Sequence, residues 1–356
     1  MRMRNLTVSV LAVLAVAGGC VAAAGVGKTG VGEPGGGAFP VALDTQRPNL
    51  TEVGALRFRG AIELPDGGGV GGLSGLWVSG DGGRFLAISD NGRTLTGRLS
   101  YDAAGRLVGA GDFTARDLPL DERKGRTGRM NDSEEVARLA DGSWLVSFER
   151  NHRILRYRSG PERPEGEAAP LPTPPGLEDA PPNGGPEAMA ALADGRLLVI
   201  EEGADDGVVE RRAWIGKAGL TARGDWQALT YRTAPRFRPA GAAALPDGGA
   251  LVLERYVSLL GGWASRIVHV PADALRPGAV IDGVELARLE RPLLVDNFEG
   301  IAVRPAPNAG GPNGDMPTGD MMVYIVSDDN RSALQRTYMM MFELPAKALK
   351  PAVARR

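Results

Sequence analysis

Histidine and cysteine are almost missing from this 356-residue chain, which has two of the first and one of the second. A single thiol excludes an internal disulfide framework and a thiolate zinc cluster. Two imidazoles leave little room for histidine-based metal or acid–base chemistry, and neither lies in an H-E-x-x-H pattern. Aromatic residues are only 5% of the chain. A dominant charge is lacking as well: 41 Lys and Arg against 43 Asp and Glu leave a net −2, which gives nucleic acid no basic surface to bind. Beyond the N-terminus no apolar run is long enough to span a bilayer, and no amphipathic helical pattern of any length stands out. The serine in Gly72-Leu73-Ser74-Gly75-Leu76 does not form the G-x-S-x-G nucleophile elbow.

What the chain has in quantity is glycine and proline, 51 and 26 residues. With 43% hydrophobic and 24% charged residues it can still bury a core. Arg2 and Arg4 precede an apolar run from Leu6 to Ala17, followed by Gly18, Gly19 and Cys20. A short basic head, a short hydrophobic segment and a small-residue exit mark residues 1–19 as a secretory signal, the alternative being an uncleaved membrane anchor. Ala17-Gly18-Gly19-Cys20 resembles a bacterial lipoprotein box, which implies lipidation of Cys20; the other reading is an ordinary signal with an incidental cysteine. The expected location is therefore outside the cytoplasm, periplasmic or lipid-anchored to the envelope, with the membrane touched only through that lipid. Residues 20–50 read as a Gly/Pro-rich tether, 51–346 as a single domain and 347–356 as a tail. Gly25-Val26-Gly27-Lys28-Thr29-Gly30 imitates a phosphate-binding loop but has neither the strand before it nor the helix after it.

Self-comparison is more informative. Five segments share one layout: a small or acidic opener, a short apolar run, an Asp-Gly turn, a β-rich run, then acidic residues. The openers are Ser74, Glu134, Glu187, Ala240 and Glu299, and in the first four units Asp81, Asp141, Asp194 and Asp247 follow at a constant seven residues. Asp-Gly between two β-rich runs is a strong hairpin signal. Several short strands per repeat of about 50 residues are the mark of propeller blades. The expected fold is an all-β propeller of five or six antiparallel blades. Its ring would close by pairing residues 54–64 with the last strand, 338–344. Proline-rich residues 161–186 and 305–317 are expected as inserted loops. The five tryptophans and the Met339-Met340-Met341 run are expected to pack in blade cores.

Loops that enter and leave inner strands gather around one mouth of a propeller channel. Acids at equivalent strand ends therefore converge: Asp90, Glu149, Glu201, Glu202, Glu254, Asp328 and Asp329 after the second runs, and Glu134, Glu135, Glu187 and Glu299 at the first. Arg93, Arg150, Arg255 and Arg331 follow several of them. Carboxylates supply oxygen ligands for a hard divalent cation such as Ca²⁺, with Asp90, Glu135, Glu149, Glu201, Glu254 and Asp329 as candidate ligands. The four arginines are candidates for binding phosphate oxygens. Glu134, Glu187, Glu299 and Asp328 are candidate catalytic acids and bases. The same acid–Arg pairs could instead be salt bridges that pin neighbouring blades. His152 could contact substrate or simply hydrogen-bond a loop, and His269 reads as a strand residue.

Asn131-Asp132-Ser133-Glu134-Glu135, Gly185-Pro186-Glu187-Ala188-Met189 and Asn297-Phe298-Glu299-Gly300-Ile301-Ala302 carry a resemblance to the esterase-like phytase domain, a propeller-type bacterial domain. Val326-Ser327-Asp328-Asp329-Asn330 and Ser89-Asp90-Asn91-Gly92 support it, from about Leu73 to Leu344. The resemblance implies a phosphoesterase-like activity dependent on Asp and Glu residues. The chain departs from it in the fourth unit, where Ala240-Gly241 replaces the acidic opening, and it has no Asp-rich motif of the calcium-dependent propeller phytases. The leading expectation is a monomeric, exported, metal-dependent phosphoesterase with a small phosphorylated substrate. The alternatives are a non-catalytic propeller that binds a ligand or protein, and a lactonase-like calcium propeller.

Overall fold

The computed structural model describes residues 37–67, 70–120, 131–158, 160–205, 207–258, 262–307, 319–332 and 335–349. The expected signal, most of the expected tether, the P-loop look-alike and Cys20 lie outside them. Chain order begins with β1 (Phe39–Pro40), β2 (Glu52–Val53) and β3 (Leu56–Glu63). Blade 1 is β4 (Leu73–Val78), β5 (Arg84–Ser89), β6 (Arg93–Tyr101) and β7 (Leu107–Asp117). Blade 2 is β8 (Ser133–Arg138), β9 (Trp144–Phe148), β10 (Arg153–Arg158) and β11 (Glu165–Pro170). Blade 3 is β12 (Ala188–Ala191), β13 (Leu197–Ile200), β14 (Glu210–Gly216) and β15 (Trp226–Arg232). Blade 4 holds β16 (Arg238–Ala244), β17 (Ala250–Ser258), β18 (Gly262–Val270) and β20 (Val284–Glu290); the intervening β19 (Val280–Asp282) runs parallel to β15 at the rim of blade 3. Blade 5 is β21 (Asn297–Pro305), β22 (Met321–Asp328) and β23 (Tyr338–Leu344), completed by β3.

The ring therefore has five blades. It closes as the sequence suggested, with β3 antiparallel to β23 in the register Tyr338↔Glu63 and Met340↔Ala61. Proline-rich residues 161–186 are not wholly loop: Glu165–Pro170 pairs with β10 as the outer strand of blade 2. An outer strand tolerates proline because one of its edges makes no ladder. No helix among the described residues is long and apolar enough to cross a membrane.

The Asp-Gly turns explain the periodicity. In each of the four, the Asp carboxylate accepts a backbone N–H two residues on, from Gly83, Ser143, Arg196 or Gly249 at 2.9–3.0 Å. The glycine between takes φ of 75–89°, which a side chain would disfavour.

Second strands are apolar on both faces because each is sandwiched between two blades. Phe85 and Ala87 pack toward Tyr324, Met339 and Met341 of blade 5, whereas Leu86 and Ile88 pack toward Trp144, Val146 and Phe148 of blade 2. One such cluster fills each of the remaining blade interfaces. Trp144, Trp214, Trp226 and Met339–Met341 are buried in these layers, as expected of core residues.

Around the channel the inner strands approach backbone to backbone. A Cβ on Gly75 would lie 2.6 Å from the Val136 nitrogen, and one on Gly241 or Gly300 would overlap the carbonyl oxygen of Glu299 or Ser74. Gly300→Ala is therefore expected to lower the unfolding free energy by about 1–3 kcal/mol, as overpacking against an unyielding neighbour does. Urea denaturation measures this, and a loss below about 0.5 kcal/mol would contradict the close approach.

Candidate functional site at the channel mouth

Four of the five openers sit in β-bulges. The pairing of β4 with β5 skips from Leu73 to Leu76, that of β8 with β9 from Ser133 to Val136, that of β16 with β17 from Pro239 to Gly241, and that of β21 with β22 from Phe298 to Gly300. Bulges re-aim side chains, and these leave Glu134 and Glu299 beside the channel end. Glu187 reaches it by preceding β12 altogether. Its N–H and that of Glu202 both donate to the Gly185 carbonyl, at 3.0 Å each.

Arg255 of blade 4 is the hub. Its Nη2 lies 3.0 Å from Glu202 Oε1 and 3.6 Å from Glu187 Oε2, and its Nε lies 3.4 Å from Glu299 Oε1. Its Nη1 donates to Asn297 Oδ1 at 3.3 Å, while Asn297 Nδ2 donates to Glu299 Oε1 at 2.7 Å. Burial works against this cation, but Glu299, Glu202 and Glu187 together hold its pKa above the ordinary arginine value.

A second group gathers on blade 2. Asp132, Glu134 and Glu149 are all buried, and each offers a carboxylate oxygen within 4.8 Å of the others. Arg150 pairs with Asp132, and the Glu149 Oε2 atom is buried without a hydrogen-bond partner. Burial, then Glu149 and Asp132, push the Glu134 carboxyl well above the usual range. Burial, then Asp132 and Glu202, raise Glu149 to about 8. An all-oxygen, electron-rich set with an orphaned buried oxygen fits a hard divalent cation. On blades 5 and 1, burial and Glu299 raise Asp328 to about 8, and Asp90 pairs with Arg331 at 2.5 Å. Glu187 is raised well above the usual range by burial, Glu202 and Glu134.

The other candidates lie elsewhere. Glu135 is fully buried and turns into the channel, where its carboxylate accepts the N–H groups of Val136 at 2.9 Å and Ala242 at 3.0 Å. Glu201 pairs with Arg212, and Glu254 accepts the Tyr231 hydroxyl at 2.8 Å and Arg266 at 3.0 Å; both are turned from the mouth groups. Arg93 faces Asp117 at 3.3 Å on the outer part of blade 1. Asp329 braces loops through the N–H groups of Gly72 and Arg331, at 3.0 and 2.9 Å. His152 Nε2 donates to the Ala180 carbonyl at 3.2 Å. His269 is a buried residue of β18. Asp132 and Asn297 belong to the site although sequence reasoning gave them no individual role, and Glu202, expected among the converging acids, takes the place assigned to its neighbour Glu201. For Glu202 the signal was present: Glu149, Glu202 and Arg255 each follow their opener by the same interval.

A five-bladed propeller with a carboxylate-lined mouth is thus the class to which fold and site assign the chain. A family profile described as "Phytase-like: Esterase-like activity of phytase" matches residues 68–331, and the chain belongs to that family. No curated protein matches the sequence. Among solved structures it resembles a gluconolactonase from Xanthomonas campestris (14% identity, 87% of this chain and 99% of that one, TM-score 0.42). It also resembles a calcium-binding regucalcin from Agrobacterium tumefaciens (11%, 77% and 91%, TM-score 0.39) and a hypothetical protein from Leishmania major (12%, 80% and 89%, TM-score 0.44). Likenesses with TM-scores this low say nothing of activity.

Two outcomes follow from the electrostatics. Arg255→Met strands Glu187, Glu202 and Glu299 in a buried site and is expected to cost about 3–5 kcal/mol at pH 8. Urea unfolding reads that loss, and one below about 1 kcal/mol would contradict the hub. The raised carboxyls give the second. Their stabilising contribution is complete below the ordinary pKa of 4.5 and lost as pH rises through about 8 for Glu149. The metal-free melting temperature should therefore fall between pH 5 and pH 9, and the increase produced by Ca²⁺ should grow over the same range. A calcium effect independent of pH would contradict cation binding by these acids.

Proposed function

We propose that this protein is a divalent-cation-dependent ester hydrolase whose substrate is an uncharged ester, a lactone or carboxylic ester in preference to a phosphoester. The observation that carries this reading is the engagement of the arginines. Arg150 is paired with Asp132, Arg255 with Glu187, Glu202 and Glu299, and Arg331 with Asp90. A phosphate arriving at the mouth would have to displace a carboxylate from each guanidinium and would meet unneutralised acids. An uncharged ester meets no such repulsion. Membership of a family described by esterase-like activity agrees with ester chemistry.

In this reading Asp132, Glu134 and Glu149 hold the cation. When bound it would polarise an ester carbonyl and lower the pKa of a water. Glu187, whose carboxyl burial and the acidic neighbours Glu202 and Glu134 push well above the usual range, would serve as the acid that gives a proton to the leaving oxygen. Asp328, raised to about 8, would serve as the base, taking a proton from water once it ionises as pH approaches 8. Asn297 and Arg255 fix Glu299, so the rim of the mouth stays rigid. The N-terminal residues 1–19 are proposed as an export signal and Cys20 as a lipid attachment point, which places this chemistry outside the cytoplasm.

The test compares a δ-lactone, a p-nitrophenyl carboxylic ester and p-nitrophenyl phosphate, each with Ca²⁺ and with EDTA. Lactone or carboxylic ester turnover that EDTA abolishes, and that Glu134→Gln lowers at least about 100-fold, is the expected result. Preferential phosphate turnover would restore the phosphoesterase reading. Calcium binding without turnover of any substrate would make the mouth a binding site only.

A further inference from the structure

A cavity of about 710 Å³ lies between blades 5 and 1, lined among others by Arg59, Tyr101, Arg304, Ala306, Met322 and Met341. It belongs to the opposite end of β21 from Glu299, about 17 Å along the strand at ~3.3 Å per residue.

Arg304 is 6% exposed, and among the described residues no carboxylate lies within ion-pair distance of it. A buried cation without a counter-charge is costly unless something supplies one. Its orientation is nevertheless fixed. The Arg304 Nε donates to the Tyr324 hydroxyl at 3.0 Å, the Tyr324 and Tyr101 hydroxyls are 2.9 Å apart, and Tyr101 donates to the Gly82 carbonyl at 2.7 Å. Arg304 Nη1 donates to the Pro305 carbonyl at 3.1 Å. Nη2 is then the guanidinium nitrogen left without a protein hydrogen bond among the described residues.

Arg59 adds a second cation on the wall. Its Nη2 donates to the Ala104 carbonyl at 2.6 Å, while its buried Nε has no hydrogen-bond partner and lies 3.9 Å from Glu343. The carboxylates of the wall have partners of their own. Asp81 accepts from Ser79 and Gly83, Asp320 from the Ala346 N–H, and Glu343 from Arg57. Met322, Met341 and Ala306 supply an apolar surface beside the two guanidinium groups.

We propose that this cavity is a second binding site, distinct from the mouth, for a small organic monocarboxylate. Its carboxylate would sit on Arg304, with Arg59 nearby, and its hydrocarbon part would lie against the methionines. A planar guanidinium suits a planar carboxylate. One unpaired nitrogen in a cavity that also has carboxylates on its wall suits a single negative charge better than a phosphate dianion.

The test is calorimetric titration of the full chain with hexanoate, inorganic phosphate and 1-hexanol. Saturable hexanoate binding is expected, with at least tenfold weaker affinity in Arg304→Met and no comparable binding of hexanol. Ala306→Trp fills the cavity without touching the guanidinium and should also lower affinity at least tenfold; it serves if the Arg304 variant does not fold. No hexanoate binding to the native chain, unchanged affinity in a folded variant, or binding of phosphate in place of hexanoate would each overturn the proposal.

Discussion

Arg255 lies where buried carboxylates from neighbouring blades would otherwise face one another at the channel end. It contacts Glu187 and Glu202 of blade 3 and Glu299 of blade 5. Blade 1 adds Asp90, and blade 2 adds Asp132, Glu134 and Glu149 to the same mouth. Like charges this close cannot all ionise at their ordinary pKa values. The structure answers in three ways: an internal cation, carboxyls that retain protons to higher pH, and a blade 2 cluster with the donor set of a hard cation.

The fourth blade makes this arrangement possible. At the interval where blades 2 and 3 place Glu149 and Glu202, blade 4 places Arg255, and its opener is Ala240 where they have Glu134 and Glu187. The departure from the repeat is therefore the position that supplies the positive charge. Deeper in the channel Gly75 and Gly241 leave space for the Glu135 carboxylate, whose oxygens would lie 2.7 and 3.2 Å from a Cβ at those positions. Glu135 there ties backbone of different blades together. One acid of the Glu134-Glu135 pair is thus structural, and its neighbour belongs to the mouth.

The blades were legible because an Asp-Gly turn with a side-chain bond to the backbone is a local device that the sequence repeats. Closure by residues 54–64 was legible as the strand left over, but the number of blades was not, since pairing of distant segments leaves no local pattern. Within the site, Glu134, Glu149, Glu187, Glu299 and Arg255 were named from the repeat. Glu201 and Glu254 were one residue out of register, and a slip of one sends a strand side chain to the opposite face. The direction of Glu135 depends on a bulge, which small-Gly pairs such as Ala240-Gly241 announce and Glu134-Glu135 does not. The engagement of the arginines, which moves the functional reading from phosphate toward uncharged esters, depends on side-chain partners from other blades.

The most direct test of the account is crystallographic: diffraction from protein soaked in a calcium-like lanthanide, recorded at its absorption edge. The account predicts one anomalous peak bound by carboxylate oxygens of Asp132, Glu134 and Glu149 at about 2.3–2.6 Å, as for Ca²⁺, with Arg255 still holding Glu187, Glu202 and Glu299. A mouth without a peak at that triad, or a cation that displaces Arg255 from its three acids, would contradict it.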